Sequence, residues 1–135
     1  MKLSTVLAAG AALMYAAAAS PANADGADAF KKNRCAQCHT VTGKHTIGPS
    51  LKGVMGRTAG TADGFAEKRY SASMVAAGKK GLKWDAKSVD AYLLNPTQYL
   101  RDYLGDPKAT TKMAYPGLKD DGQRKAIVDY LAGLK

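Results

Sequence analysis

The sequence predicts an all-α domain in which short helices are joined by long loops. Three observations carry this. No stretch alternates apolar and polar residues for the length of a useful strand. Helical spacing with capping residues recurs at 85–94, at 96–104 and near the C-terminus. Between 40 and 63, Gly43, Gly48, Pro49, Gly53, Gly56 and Gly60 punctuate the chain so densely that no apolar period survives.

The elements follow in order. Asp28 to Cys35 forms a short helix, with acidic residues at its start and Lys31, Lys32 and Arg34 toward its end, as the helix dipole favours. Residues 40–63 are loop. A loop of this length in a compact domain normally wraps something. Ser71 or Ser73 caps a helical turn that reaches Ala77 and stops at Gly78. Asp85 caps the next helix, which places Val89, Tyr92 and Leu93 on one side. Asn95-Pro96 ends it, and Pro96 to Leu104 forms another with Tyr99, Leu100 and Tyr103 together. Residues 105–118 return to loop. Asp120 or Asp121 caps the last helix, whose stripe is Ile127, Val128, Tyr130, Leu131 and Leu134.

Ahead of this domain, residues 1–24 read as a cleavable signal peptide. Lys2 is the positive start, Leu3 to Ala19 is apolar, and Ala22-Asn23-Ala24 is a small-x-small cleavage site. The apolar run, about 17 residues, is at the short limit for a membrane span, and Pro21 with the cleavage site favours removal. The expected mature domain is 25–135, exported to a bacterial periplasm. A domain of that size has little core of its own.

The chain has 20 Lys and Arg against 11 Asp and Glu, a formal net charge of +9. Loss of Lys2 lowers this by one. A basic surface implies an anionic partner. Nucleic acid is set aside by the leader, by the lack of a recognition motif and by the spread of lysines along the whole chain.

Residues 35–39, Cys-Ala-Gln-Cys-His, organise the rest. Two cysteines separated by two residues and followed at once by histidine form the attachment signature of a c-type haem. One turn of chain lets Cys35 and Cys38 each add to a vinyl group on one porphyrin edge, and His39 can then offer a ring nitrogen to the iron. Other readings are weaker. A thioredoxin-like pair expects a βαβ context. A zinc site wants four ligands, and His45 alone cannot complete one. A disulfide here would close almost no loop.

The opposite axial position decides the chemistry. An open face would permit gas binding or peroxide reactions, whereas a strong second ligand confines the iron to electron transfer. His45, Met55, Met74 and Met113 are the candidates. His45, six residues after His39, suits a hydrogen bond to nearby backbone. Met55 and Met74 suit core packing. Met113 sits in a polar, Pro-flanked loop with no helical face to serve, so it either reaches the iron or plugs an apolar gap.

Taken together, these residues resemble the class I c-type cytochromes, most closely the cytochrome c2 and mitochondrial cytochrome c group. The resemblance runs from Cys35-Ala36-Gln37-Cys38-His39 through His45-Thr46-Ile47-Gly48-Pro49 to Gly56-Arg57-Thr58-Ala59-Gly60 with Gly64-Phe65. It continues through Trp84, Ala91-Tyr92-Leu93-Leu94-Asn95-Pro96 and Thr111-Lys112-Met113 to Tyr130-Leu131. It implies a small cytochrome c fold wrapped around one covalently attached haem c, with His39 and Met113 as axial ligands. Pro49 would pack by His39. Arg57, Tyr70 and Trp84 would surround the buried propionates, and Tyr92 would approach the ligating sulfur. Gly26, Phe30 and Tyr130 would join the first and last helices. Phe30 stands one residue farther from Cys35 than this group leads one to expect, and Leu100 to Thr110 looks inserted.

The implied function is that of a soluble, monomeric one-electron carrier rather than an enzyme. A cytochrome bc1 complex would be its donor, and a photosynthetic reaction centre or terminal oxidase its acceptor. Lys31, Lys32, Lys44, Lys52, Lys112 and Lys119 are the expected docking ring for acidic partner surfaces.

Overall fold

The computed structural model describes residues 21–135. The expected leader, 1–24, lies outside the described residues except for 21–24, which open the first helix. Five helices follow one another: α1 (Pro21–Lys32), α2 (Ala72–Lys79), α3 (Ala86–Leu94), α4 (Pro96–Leu104) and α5 (Asp121–Ala132). Two 3₁₀ turns, Cys35–Gln37 and Glu67–Arg69, interrupt the loops. Among the described residues there is no strand, only a single bridge between Thr58 and Lys83.

Capping sets the helix starts. Ser71, Asp85, Asn95 and Asp120 each accept a hydrogen bond from the backbone N–H three residues on. Such caps are worth about 1 kcal/mol apiece. Ser88 returns a hydroxyl to the Asp85 N–H, which completes a capping box. Pro96 stands first in α4, where its missing N–H costs nothing.

Three boundaries differ from the sequence reading, the first being the start of α1, which begins at Pro21 and not at Asp28. The first helix ends at Lys32, before Cys35. The Asn33 side chain bonds the Ala29 carbonyl, and Arg34 turns left-handed at φ 66°, so the helix cannot continue. The extra residue between Phe30 and Cys35 is absorbed in this turn. Gly78 does not stop α2, which continues to Lys79. It is buried because its Cα side lies against the Ala59 carbonyl, where a Cβ has no room.

Helices α1 and α5 pack most extensively, and α5 also touches α3. Gly26 lets α1 approach the Tyr130 side chain, and the Phe30 and Tyr130 rings lie 5.8 Å apart. Ile127, Val128, Leu131, Leu93 and Leu100 complete this side of the core. Arg124 is buried in α5 yet fully engaged. Its guanidinium bonds Asp90, Asp121 and the Leu118 carbonyl, which ties α5 to α3 and to the loop after Met113.

The long 40–63 loop is stitched rather than free. Gly48 N–H donates to the Cys38 carbonyl, Leu51 N–H to Thr40 and Gly53 N–H to Leu134. Farther on, the N–H of Gly56 donates to the Trp84 carbonyl, that of Trp84 to Arg57, and that of Ala59 to Leu82. These place Arg57 beside Trp84.

Candidate functional site

Cys35 and Cys38 stand on one 3₁₀ turn, both free thiols and both half-buried. Burial pushes the Cys35 thiol up to about 11, with a smaller contribution from Cys38 in the same direction. A redox-active Cys-x-x-Cys needs the opposite shift, toward thiolate. Among the described residues no group of three or more His, Cys, Asp or Glu is arranged to hold a metal ion.

His39 follows the turn. Its Nδ1–H donates to the Pro49 carbonyl at 2.7 Å, so the other nitrogen, Nε2, keeps its lone pair. Burial lowers the His39 pKa, partly offset by the hydrogen bond to the Pro49 carbonyl. Gly48 abuts the imidazole so closely that a Cβ would overlap Cε1 and Nδ1. A bare ring nitrogen with the second nitrogen fixed by a backbone acceptor is the arrangement that iron ligation requires.

His45 is spent elsewhere. Its Nδ1 accepts the Ser50 N–H at 2.9 Å, so Nε2–H donates to the Asp63 carbonyl at 2.7 Å. Both nitrogens serve the loops, in keeping with the backbone role expected of it. Met74 is buried in α2, and Met55 packs half-buried against the core.

Met113 packs half-buried against the same core from the 105–118 loop. Its backbone N–H donates to Thr111 Oγ1 at 3.2 Å, and that hydroxyl meets the Tyr92 phenol at 2.9 Å. Tyr92 is buried, which pushes its phenol up to about 12. The loop also returns to the cysteine turn. Tyr115 lies near enough to Cys35 that the thiol, after burial itself, raises the phenol's pKa.

Arg57 lies near Tyr70 and is joined to Trp84 by a backbone hydrogen bond. The Arg57 guanidinium donates to the Ser50 and Lys52 carbonyls at 3.0 and 2.7 Å. Burial lowers its pKa, and nearby Tyr70 counteracts this. Among the described residues Arg57 has no carboxylate partner. Tyr70 accepts the Ala62 N–H at 3.0 Å, which leaves its hydroxyl proton free to donate. A half-buried cation and an uncommitted phenol fit the acid groups of a haem, which need donors once out of water. The six lysines expected around the edge are all exposed.

Sequence reasoning missed two supports. Thr111 is the hydroxyl that joins Tyr92 to Met113. Arg69 stacks its guanidinium 4.0 Å above Phe65 and holds the carbonyls of Thr46 and Ile47, so it braces the segment that carries Gly48 and Pro49.

Fold and site thus define a c-type haem protein. The family described as Cytochrome c matches residues 23–135. Cytochrome c2 iso-2 of Rhodospirillum centenum is 43% identical over 116 residues, 80% of this chain and 91% of that protein. Cytochrome c2 of Cereibacter sphaeroides is 42% identical over 115 residues, 78% of this chain and 89% of that protein. The solved structure of cytochrome c2 from Rhodospirillum centenum superposes with a TM-score of 0.75 at 41% identity, covering 84% and 98% of the two chains. That of ferricytochrome c2 from Rhodopseudomonas palustris gives 0.74 at 38% identity, with the same coverage. The chain belongs to the cytochrome c family, as a class I c-type cytochrome of the c2 group. Membership implies covalently bound haem c.

Proposed function

We propose that this protein is a soluble one-electron carrier of the periplasm, exported by residues 1–24 and active as the single domain 25–135. One haem would be held by thioether bonds to Cys35 and Cys38, with His39 and Met113 as axial ligands and Arg57, Tyr70 and Trp84 at its acid groups. When bound, that group supplies reversible one-electron iron chemistry. The chain does the rest. Pro49 fixes the His39 tautomer and raises its basicity. Thr111 and Tyr92 hold the Met113 loop in place, and a thioether from Met113 would confine the iron to electron transfer. Arg57 offsets carboxylate charge in a half-dry setting.

The observation that carries this reading is the pairing of a His39 whose Nδ1–H is held by the Pro49 carbonyl with a Met113 loop tied down by the Tyr92–Thr111 bond. The exposed lysines suit a brief, salt-sensitive encounter with acidic membrane complexes. A cytochrome bc1-type donor and a reaction centre or terminal oxidase as acceptor fit this charge and the c2 names of the relatives. The test is direct. The ferric protein should show a thioether–iron band and bind cyanide slowly, and its reduction by a bc1 complex should slow as salt rises. Rapid cyanide binding without that band would overturn the carrier reading.

A further inference from the structure

Pro49 supplies the acceptor for His39, yet the turn that carries it has little apolar anchorage. No residue from Lys44 to Pro49 is fully buried, and Ile47 stands 73% exposed. A segment with so few buried contacts opens readily unless hydrogen bonds hold it. On the inner side, the Gly48 N–H and the Thr46 hydroxyl both donate to the Cys38 carbonyl, each at 2.7 Å. The Thr46 N–H closes the turn on the Gly48 carbonyl at 3.1 Å.

The outer side belongs to Arg69. One nitrogen of its guanidinium, Nη2, donates to the Thr46 carbonyl and, at 3.3 Å, to that of Ile47. Local sequence delivers it there. Arg69 ends the 3₁₀ turn Glu67–Arg69, four residues after Phe65, and its Cζ lies 4.0 Å from the centre of the Phe65 ring. That ring is buried and makes edge contacts with His45 at 5.4 Å and Tyr70 at 4.9 Å. The guanidinium therefore rests on a fixed surface. Among the described residues no carboxylate pairs with it, and both of its hydrogen bonds go to the turn.

We propose that Arg69 is a positioning residue for the axial imidazole, setting through the 46–49 turn how strongly His39 donates to iron. This rests on the haem reading above and extends it. Arg69 holds the carbonyls of Thr46 and Ile47. These fix Gly48 and Pro49, and the Pro49 carbonyl holds the His39 Nδ1–H at 2.7 Å. A proton drawn toward a well-placed acceptor leaves the ring richer in electrons, and a richer nitrogen favours ferric iron. The brace thus lowers the reduction potential. The positive charge of Arg69 acts in the opposite sense, because a cation disfavours the ferric state. Loss of the brace should raise the potential, whereas loss of charge alone should lower it, so the sign separates the two roles.

The test uses the haem-loaded protein. Redox titration is done at high salt, where the charge of an exposed side chain is largely screened. Exchange of the His39 Nδ1 proton with deuterium is followed by NMR in the ferrous state. Haem content is measured first: lack of covalent haem would overturn the carrier reading and this one with it. With haem present, the two readouts bear on Arg69 alone. Arg69→Met keeps a side chain over Phe65 and removes the donors. It should raise the potential and speed Nδ1 proton exchange several-fold, while the Leu131 amide in α5 exchanges as in wild type. Arg69→Lys restores a donor and should recover part of both effects. Lys80→Met is the control. It removes one positive charge and one bond to a carbonyl, that of Tyr103 at 2.8 Å, and should leave both readouts unchanged. Wild-type exchange in Arg69→Met, a potential that does not rise, or an equal acceleration at Leu131 would overturn the proposal.

Discussion

His39 and Pro49 are joined by a 2.7 Å hydrogen bond from Nδ1–H to the carbonyl, and Gly48, the residue before Pro49, lies directly against the same imidazole. The bond fixes the tautomer, and the glycine gives the imidazole room to sit. Gly48→Ala adds a methyl where the ring already lies. Overpacking of this kind costs roughly 1–3 kcal/mol. The variant should melt at a lower temperature and change its reduction potential, because a displaced imidazole loses the Pro49 acceptor. Gly122→Ala, at the exposed start of α5, is the control and should not destabilise. Equal melting of the two variants would show that Gly48 does not constrain His39.

Thr111 makes a second prediction. Its hydroxyl faces both the buried Tyr92 phenol and the Met113 N–H. Thr111→Val leaves both partners unsatisfied, at a cost of about 1–3 kcal/mol. The thioether–iron band should weaken and cyanide should enter faster, while Thr111→Ser should restore both. Tyr92→Phe removes one of the same bonds, so the two changes should be less than additive in a double-mutant cycle. Strict additivity would mean that the two groups act independently on Met113.

Arg57 supports a prediction about potential. It is a half-buried cation bonded to two carbonyls, with Tyr70 nearby. Arg57→Leu removes positive charge that disfavours the ferric state, so the reduction potential should fall by tens of millivolts. Arg57→Lys should recover only part of the loss, because an ammonium cannot span both carbonyls and a carboxylate as the guanidinium fork does. Redox titration of the three proteins decides this. An unchanged potential in Arg57→Leu would place the arginine away from the haem acids.

How much of this was readable from residues alone depends on the range of the forces involved. Caps act within one turn, so the start of α3 followed from Asp85 and that of α5 from Asp120 or Asp121, while the Asn95-Pro96 corner separated α3 from α4. The thiol and imidazole chemistry of 35–39 is equally local. Gly78 shows the limit: as a local signal it reads as a stop, but its real constraint is the Ala59 carbonyl across the fold. Arg34 stops α1 through a left-handed backbone that its residue type does not advertise. Thr111 looked like one more polar loop residue, because nothing nearby in sequence announces Tyr92 as its partner. Arg57, Tyr70 and Trp84 were grouped by resemblance; the physical cause that sets Arg57 beside Trp84 is the backbone pairing between 56–59 and 82–84, which no local signal announces.

The capping box at α3 gives a pH-dependent prediction with a definite sign. The Asp85 pKa is lowered chiefly by the Ser88 backbone N–H and next by the Ser88 hydroxyl. The unfolded chain therefore takes up the proton first as pH falls. The carboxylate's contribution to stability is complete above the ordinary carboxylate range and disappears as pH drops through the depressed folded value. Asp85→Ala should melt below wild type at neutral pH, and the gap should narrow below about pH 4. Asp85→Asn keeps an N-cap acceptor without a titrating charge, so its melting should stay nearer wild type at pH 7 and its offset from Asp85→Ala should hold steady as pH falls. Thermal melts of the three haem-loaded proteins from neutral to acid pH provide the measurement. A wild-type-to-Ala gap that does not change with pH would show that the cap acts through its shape and not through its charge.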